Sequence, residues 1–555
     1  MNVYIKTYGC QMNERDSDAA AAMLAADGHD IVQTEEAADL IILNTCSVRD
    51  QAERKAIGKL GILKRLKEDR PNLLFGIMGC MAQSRGTELL KTIPHLNFAV
   101  GTDKIHELPE IVSELAEKHK IESTGHDNLS DVDGIDAHTV KRGFSDFISI
   151  MRGCNRFCTY CIVPYARGRE RSRSPESVVE EARKLAESGV KEIMLLGQNV
   201  AAYGIDGIRF PDDVSPFADL LESLAKIEGI KRIRFTSPHP AFFNTRLIDA
   251  VANTPKVCNS VHLPLQSGSD RILQAMNRPY TAKQYMHIVN ELKRKCGEIA
   301  FSTDIIVGFP GETDEDFEET RRILNEVGYD NAYIFKYSPR KGTKAAELLA
   351  DDVPQAVKEE RNQILLANLA KTSERANDKF VGRTLEVLAE GVSKRNSARW
   401  CGRTELSKLV VFEPDEAIRP GDLVQVHIKH ATAMTLFGDL VRGRRSTVAR
   451  IEEGMVRPTL AATPGDLSLV LPKRILDGII EMIYALDKIA PGTANDDTLL
   501  YGVEVKFYNM EVDVDEHLES PHKGLYIIGD GSGVTHSLSH ASAGGVFVAR
   551  EILAN

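Results

Sequence analysis

Three times in the first hundred residues an apolar run ends on a cysteine: VYIKTYGC, DLIILNTC and LLFGIMGC. A polar, helix-forming stretch follows each run, and Cys10, Cys46 and Cys80 stand 36 and 34 residues apart. That interval suits a strand, a helix and the turns that return the chain to the next strand. A parallel sheet with right-handed crossovers puts the carboxyl ends of its strands on one edge. Three thiols distant in sequence are therefore expected to meet where open α/β sheets bind ligands. Core packing at strand ends is the plainer alternative.

A second set of three thiols is local. Residues 151 to 171 read MRGCNRFCTYCIVPYARGRER, with Cys154, Cys158 and Cys161 spaced CxxxCxxC. Three thiolates without a fourth Cys or His in the loop fill three corners of a metal site and leave one open. Structural zinc takes four protein ligands, which fits this loop poorly. Buried packing fits poorly too, given Gly153, Asn155, Arg156 and Thr159 among the thiols. From the residues alone both readings stay open beside the open-cornered metal site.

The rest of the pattern bounds the architecture. At 555 residues the chain exceeds one core. From 145 to about 350, apolar runs (FISIM, EIMLLG, IRFTS, SVHLPL, FSTDIIVGF, NAYIFKYS) alternate with helical stretches, which predicts a parallel barrel or part of one. Residues 106 to 140 read as a helix followed by a polar linker containing GHDNLSDVDG. Residues 354 to 378 read as a connecting helix, and 380 to 445 as a small β-barrel of short strands. The fold class expected is α/β: an open parallel-sheet domain at 1–120, a partial (β/α) barrel at 140–375, a small β-barrel at 378–445 and a C-terminal α/β extension at 455–555.

No apolar run reaches membrane-spanning length, and the opening MNVYIKTYGC lacks the form of a secretory signal. A soluble, cytoplasmic protein with no membrane partner is expected, its nine cysteines serving as thiols, ligands or catalysts rather than disulfides. A net charge of -11 argues against indiscriminate binding to polyanions. Between 141 and 173, however, eight Lys and Arg face only Asp146 and Glu170.

The CxxxCxxC loop after the first barrel strand resembles that of the radical S-adenosylmethionine superfamily. The resemblance implies a 4Fe-4S cluster on Cys154, Cys158 and Cys161, whose open iron takes the amino and carboxylate groups of S-adenosylmethionine. It also implies reductive cleavage of that cofactor to a 5′-deoxyadenosyl radical. YGCQMNERDS, LNTCSVRDQAERKAIGKLG and MGCMAQ resemble the methylthiotransferases of the superfamily, in an order that extends to about residue 445. This implies a second 4Fe-4S cluster on Cys10, Cys46 and Cys80, where the sulfur to be inserted is bound and methylated. The first two segments are most similar to the branch that modifies tRNA. There the C2 hydrogen of N6-isopentenyladenosine beside the anticodon is replaced by a methylthio group, and two S-adenosylmethionines are consumed. Another tRNA adenosine or a ribosomal protein is the alternative acceptor.

LLGQNVAAYG, TSPHP, HLPLQSGSDRIL and FSTDIIVGFPGET are similar to barrel segments of the same family. Gly197, Gln198 and Asn199 then close the second strand, where radical enzymes hold the methionine amino end. Gln266, Ser267, Ser302 and Asp304, near later strand ends, are candidates for cofactor or substrate contacts, with capping and turn formation as the alternative. Beside the three-thiol loop, Arg167, Arg169 and Arg171 are expected to contact RNA phosphates, ion pairing within the fold being the alternative. The small barrel resembles a TRAM domain, with Lys394, Arg395 and Arg403 as RNA contacts and Trp400 and Phe437 as stacking or core residues. Implied partners are a tRNA anticodon stem-loop, an electron donor such as flavodoxin or ferredoxin, and a sulfur donor that the sequence does not identify; a monomer is expected. The tail GLYIIGDGSGVTHSLSHASAGGVFVAREI resembles the C-terminal segment of FAD-dependent oxidoreductases, with Gly529, Asp530 and Gly533 at the flavin-facing positions. Without an upstream GxGxxG, no bound FAD is expected, a flavin-linked oxidoreductase being the alternative.

Overall fold

The computed structural model describes residues 1–47, 50–115, 117–126, 143–205, 213–415 and 418–440, with short stretches beyond. Met1–Val441 forms one compact unit and Arg442–Asn555 a second. The predicted C-terminal α/β extension, with Gly529, Asp530 and Gly533, lies almost wholly outside the described residues, as do Lys141 and Arg142.

The N-terminal domain runs β1 (Asn2–Tyr8), α1 (Gln11–Ala26), β2 (Asp30–Ile31), β3 (Leu40–Thr45), α2 (Asp50–Asp69), β4 (Leu74–Met78), α3 (Cys80–Thr92), β5 (Phe98–Val100) and β6 (Ile121–Ser123). All six strands are parallel, in the order β2-β1-β3-β4-β5-β6. Alternating residues feed two cores. Ile41, Leu43, Phe75 and Ile77 pack on one face, and Leu40, Ile42, Met78 and Phe98 on the other. Covered on both faces, β3 is apolar or buried along its whole length, as parallel strands are. β6 falls inside the stretch read from sequence as helix and linker. At three residues, IES, it carries no apolar run to announce it and is held by pairing to β5.

Six parallel strands form the partial barrel. β7 (Ser145–Ser149) is followed by the short antiparallel pair β8 (Met151–Arg152) and β9 (Arg171–Ser172), which brackets the cysteine loop and the helix α4 (Val163–Arg167). Next come α5 (Pro175–Glu187), β10 (Glu192–Leu196), β11 (Arg232–Phe235), β12 (Ser260–His262), β13 (Ala300–Val307) and β14 (Asn331–Lys336). β11-β10-β7 and β12-β13-β14 are two three-stranded pieces, joined by a parallel bridge from Ile233 to Val257. Helices Pro216–Ala225, Thr245–Asn253, Ala282–Cys296 and Asp314–Val327 lie between the later strands, the last two opened by capping boxes at Thr281 and Thr313.

A connecting helix, α6 (Gln355–Asp378), leads into a closed barrel of β15 (Thr384–Val392), β16 (Trp400–Thr404), β17 (Leu409–Phe412), β18 (Leu423–Ala431) and β19 (Leu436–Leu440). Val387, Val410, Phe412, Val426 and Ile428 fill it. Two arginines of β11 fasten it to the larger barrel. Arg234 donates to the carbonyls of Thr404 (2.8 Å) and Glu405 (2.9 Å) and to Ser407 Oγ (2.6 Å), and Arg232 to the carbonyl of Arg403 (2.6 Å).

Candidate two-cluster active site

Cys10, Cys46 and Cys80 sit just past the carboxyl ends of β1, β3 and β4. Cys46 shares side-chain hydrogen bonds with both Cys10 and Cys80, so the three thiols meet on one sheet edge. Cys10 caps α1 and Cys80 opens α3, positions where the helix dipole favours a thiolate. The hydrogen bond from Cys46 and, more weakly, the charge of Arg167 bring Cys10 down to about 6 and Cys80 to about 7, whereas the Cys46 thiol is pushed up by its two sulfur neighbours and burial.

Buried amides prop this rim. Cys10 Sγ lies 3.2 Å from Asn13 Oδ1, Asn13 Nδ2 donates to Asn44 Oδ1 (2.9 Å), and Asn44 Nδ2 donates to the Asn13 carbonyl (2.7 Å) and Ser17 Oγ (2.9 Å). Gly79 has φ +90°, and a Cβ there would lie 2.3 Å from Asn44 Oδ1, so the chain can turn from β4 into Cys80 only without a side chain. Among the described residues no three His, Cys, Asp or Glu side chains converge as a ready single-ion site. The donor set of three thiols, two of them favoured as thiolates, is one that iron-sulfur clusters take.

The second set lies in the barrel mouth. Gly153 has φ +79°, and a Cβ would stand 1.9 Å from the Arg169 carbonyl, while Phe157 holds φ +47°. These two positions bend the loop back on itself so that Cys154 N bonds the Gly168 carbonyl (3.1 Å). Arg278, buried in the barrel, donates to Cys158 Sγ (3.6 Å), Tyr280 Oη (3.1 Å) and the Pro264 carbonyl (3.2 Å). Burial pushes Cys154 up to about 11 and Cys161 up to about 12, a cost that a bound metal's charge offsets.

Gln198 and Asn199 brace this loop. Gln198 Oε1 accepts from Gly153 N (2.6 Å), Asn199 Nδ2 donates to Glu170 Oε1 (3.4 Å), and Asn199 Oδ1 accepts from His239 N (3.0 Å). Gly197 lets β10 end tightly on Met151, whose Cγ would be 2.6 Å from a Cβ. Glu170 is 5% exposed and its Oε2 has no hydrogen-bond partner, nor has His239 Nε2. An unpaired buried carboxylate oxygen beside the cysteine loop fits a cationic ligand.

Later strand ends divide. Ser302 Oγ and Asp304 Oδ2 hold the two ring nitrogens of His262 (3.0 and 3.3 Å), and the ring meets half-exposed Tyr333 edge-on at 6.1 Å. Gln266, at φ +69°, pairs through its backbone with Asp304 and Ile306. Ser267 is fully buried; its Oγ accepts from Ser269 N (3.2 Å) and meets Thr320 Oγ1 (3.3 Å), the bonding expected of a turn former.

The basic run divides between ion pairs within the fold and exposed cations. Arg167 is 4% exposed and donates Nη2 to Asp16 Oδ2 (2.8 Å), and Arg171 donates to Asp103 Oδ1 (2.8 Å). Both form ion pairs with acids of the N-terminal domain, which burial obliges to find counter-charges. Arg152 takes the other oxygen of Asp16 (2.8 Å), and Glu181 of α5 joins Arg15 (2.6 Å) to Arg173 (2.5 Å). Arg169 stays exposed, its guanidinium 4.6 Å from the centre of the Phe157 ring. Lys394 and Arg395 are exposed, and Arg403 pairs with Glu390 (3.0 Å). Trp400 packs on the small-barrel core, and Phe437 stacks on His430. Asp16, Asn13, Asn44, His262 and Arg278 were not singled out from sequence, because tertiary contacts bring them the partners Arg167, Asn44, Asn13, Asp304 and Cys158.

The sequence matches the Radical SAM superfamily over residues 148–324, the Uncharacterized protein family UPF0004 over residues 2–101 and the TRAM domain over residues 378–441. The larger barrel is thus a radical S-adenosylmethionine domain, and the smaller one a TRAM domain. The tRNA-2-methylthio-N(6)-dimethylallyladenosine synthase of Opitutus terrae is 47% identical over 471 residues, covering 79% of this chain and 97% of that one. Its counterparts in Akkermansia muciniphila (44%, 79% and 98% covered) and Bacillus subtilis (45%, 79% and 85% covered) are similar. The chain belongs to the family of tRNA-2-methylthio-N6-dimethylallyladenosine synthases. Among the described residues no helix is long and apolar enough to cross a membrane.

Proposed function

We infer that the chain is a tRNA methylthiotransferase of the cytoplasm, which replaces the C2 hydrogen of N6-isopentenyladenosine beside the anticodon with a methylthio group. The observation that carries this reading is the pair of three-cysteine sets in one compact unit. Cys10, Cys46 and Cys80 are read as ligands of an auxiliary 4Fe-4S cluster, and Cys154, Cys158 and Cys161 as ligands of the cluster that binds S-adenosylmethionine. When bound, cluster and S-adenosylmethionine supply the one-electron chemistry that opens an unactivated C–H bond.

The chain's own residues supply placement. Gln198 holds the loop backbone at Gly153, and Arg278 fixes Cys158 from inside the barrel. The free Oε2 of Glu170 is suited to the cofactor's ammonium group. Tyr333, half exposed beside His262, offers a face on which an extruded base can stack. Arg169, Lys394 and Arg395 remain exposed for phosphates, and a flavodoxin or ferredoxin suits the role of electron donor.

The test is mass spectrometry of nucleosides from isopentenylated tRNA incubated with anaerobically reconstituted protein, reductant and S-adenosylmethionine. The methylthio nucleoside is expected. 5′-Deoxyadenosine with unchanged tRNA would move the reading to another acceptor.

A further inference from the structure

Arg167 ends α4, the short helix that follows the CxxxCxxC loop, yet its side chain leaves the barrel and enters the N-terminal domain. There one Nη donates to Asp16, six residues along α1 from Cys10, and the other Nη is buried without a hydrogen-bond partner. A buried guanidinium donor left open is costly, by more than a lost neutral hydrogen bond. α4 packs against α3, the helix that Cys80 opens, so Arg167 stands against the element that carries one of the three thiols. Arg152 already serves the second oxygen of Asp16, so Arg167 is not needed to satisfy that carboxylate alone. α4 is held against the same domain by Thr102, whose Oγ1 donates to the Ala166 carbonyl (2.7 Å), so the guanidinium is fixed in place.

We propose that Arg167 is the anion-holding residue of the auxiliary site, its free Nη1 donating to a sulfur anion carried by the group that Cys10, Cys46 and Cys80 hold. The inference rests on the reading of those cysteines as ligands of a second cluster. It assigns to the radical S-adenosylmethionine domain a positioning residue for the sulfur side of the reaction. A charge-assisted hydrogen bond in a buried setting predicts a large effect on anion affinity and a small one on iron loading.

The test uses full-length protein with Cys154, Cys158 and Cys161 all changed to Ala, so that iron can load only at the N-terminal set. Reconstituted protein is assayed for iron, reduced, and titrated with sodium hydrosulfide while the electron paramagnetic resonance spectrum is followed. Arg167→Met is expected to keep its iron and to bind hydrosulfide about tenfold more weakly or worse. Arg167→Lys, which keeps the charge without the fork, should fall between. Arg152→Met, which breaks the other half of the Asp16 pair, should change hydrosulfide affinity far less. Equal affinities for Arg167 and its Met and Lys variants at full iron content would overturn the proposal. If Arg167→Met fails to load iron, the Lys variant decides in the same way. No iron in the parent with Arg167 intact would instead overturn the second-cluster reading, and the proposal with it.

Discussion

Asp16 is fully buried and receives two guanidiniums from another domain, Arg152 and Arg167. Removing its charge leaves both cations without their carboxylate, a change that costs about 3–5 kcal/mol where a buried pair is broken. Asp16→Asn should therefore lower unfolding free energy by that order in urea titration, and an unchanged midpoint would remove Asp16 from the structural account. Gly153 is a second such residue: Gly153→Ala must move the Arg169 backbone, so iron bound at Cys154, Cys158 and Cys161 should fall while iron at the N-terminal set persists. Asp316 gives a pH signature. Burial raises its pKa, but hydrogen bonds from Ser269, the Thr313 backbone and Arg271 outweigh this and hold it at about 2. A depressed carboxylate stabilises the fold above its unfolded value of 3.8 and loses that contribution as pH falls toward 2. The amount is about 2 kcal/mol, and Asp316→Asn should flatten that acid limb of the stability curve.

At the scale of elements, the arginines of β11 help to seat the small barrel, beside Lys408, which pairs with Asp330 and Asn377 Oδ1. Arg234 alone reaches the Thr404 and Glu405 carbonyls and Ser407 Oγ while also pairing with Glu192 (2.8 Å). Arg234→Met should loosen this seat and speed cleavage near α6 in limited proteolysis, leaving the strands themselves folded. The strands that carry the cysteines were legible because apolar runs of this length, each ended by a thiol, have few folds open to them. Gly153 and the CxxxCxxC spacing were legible because sterics and ligand count act locally. Arg167 and Arg171 were not: a basic run reads the same whether it faces phosphate or Asp16 and Asp103, acids more than sixty residues away in sequence. The bonding of Ser267 was hidden for a related reason, since its partner Thr320 lies on a later helix. β6 was missed because three residues, Ile-Glu-Ser, pair as an edge strand and are too few to show a periodicity.

Across the whole molecule, the Asp16–Arg167 pair ties the domain of one three-cysteine set to the domain of the other. The barrel mouth, with Cys154, Cys158 and Cys161, is assigned the cleavage of S-adenosylmethionine; the sheet edge, with Cys10, Cys46 and Cys80, is assigned the sulfur. Each site should then fail separately. The most direct measurement quantifies 5′-deoxyadenosine and the methylthio nucleoside in the same reactions with Cys46→Ala and Cys154→Ala proteins. Cys46→Ala should still release 5′-deoxyadenosine while making no methylthio nucleoside, and Cys154→Ala should make neither. Methylthio nucleoside from the Cys46→Ala protein at the level of the unaltered chain would contradict the division.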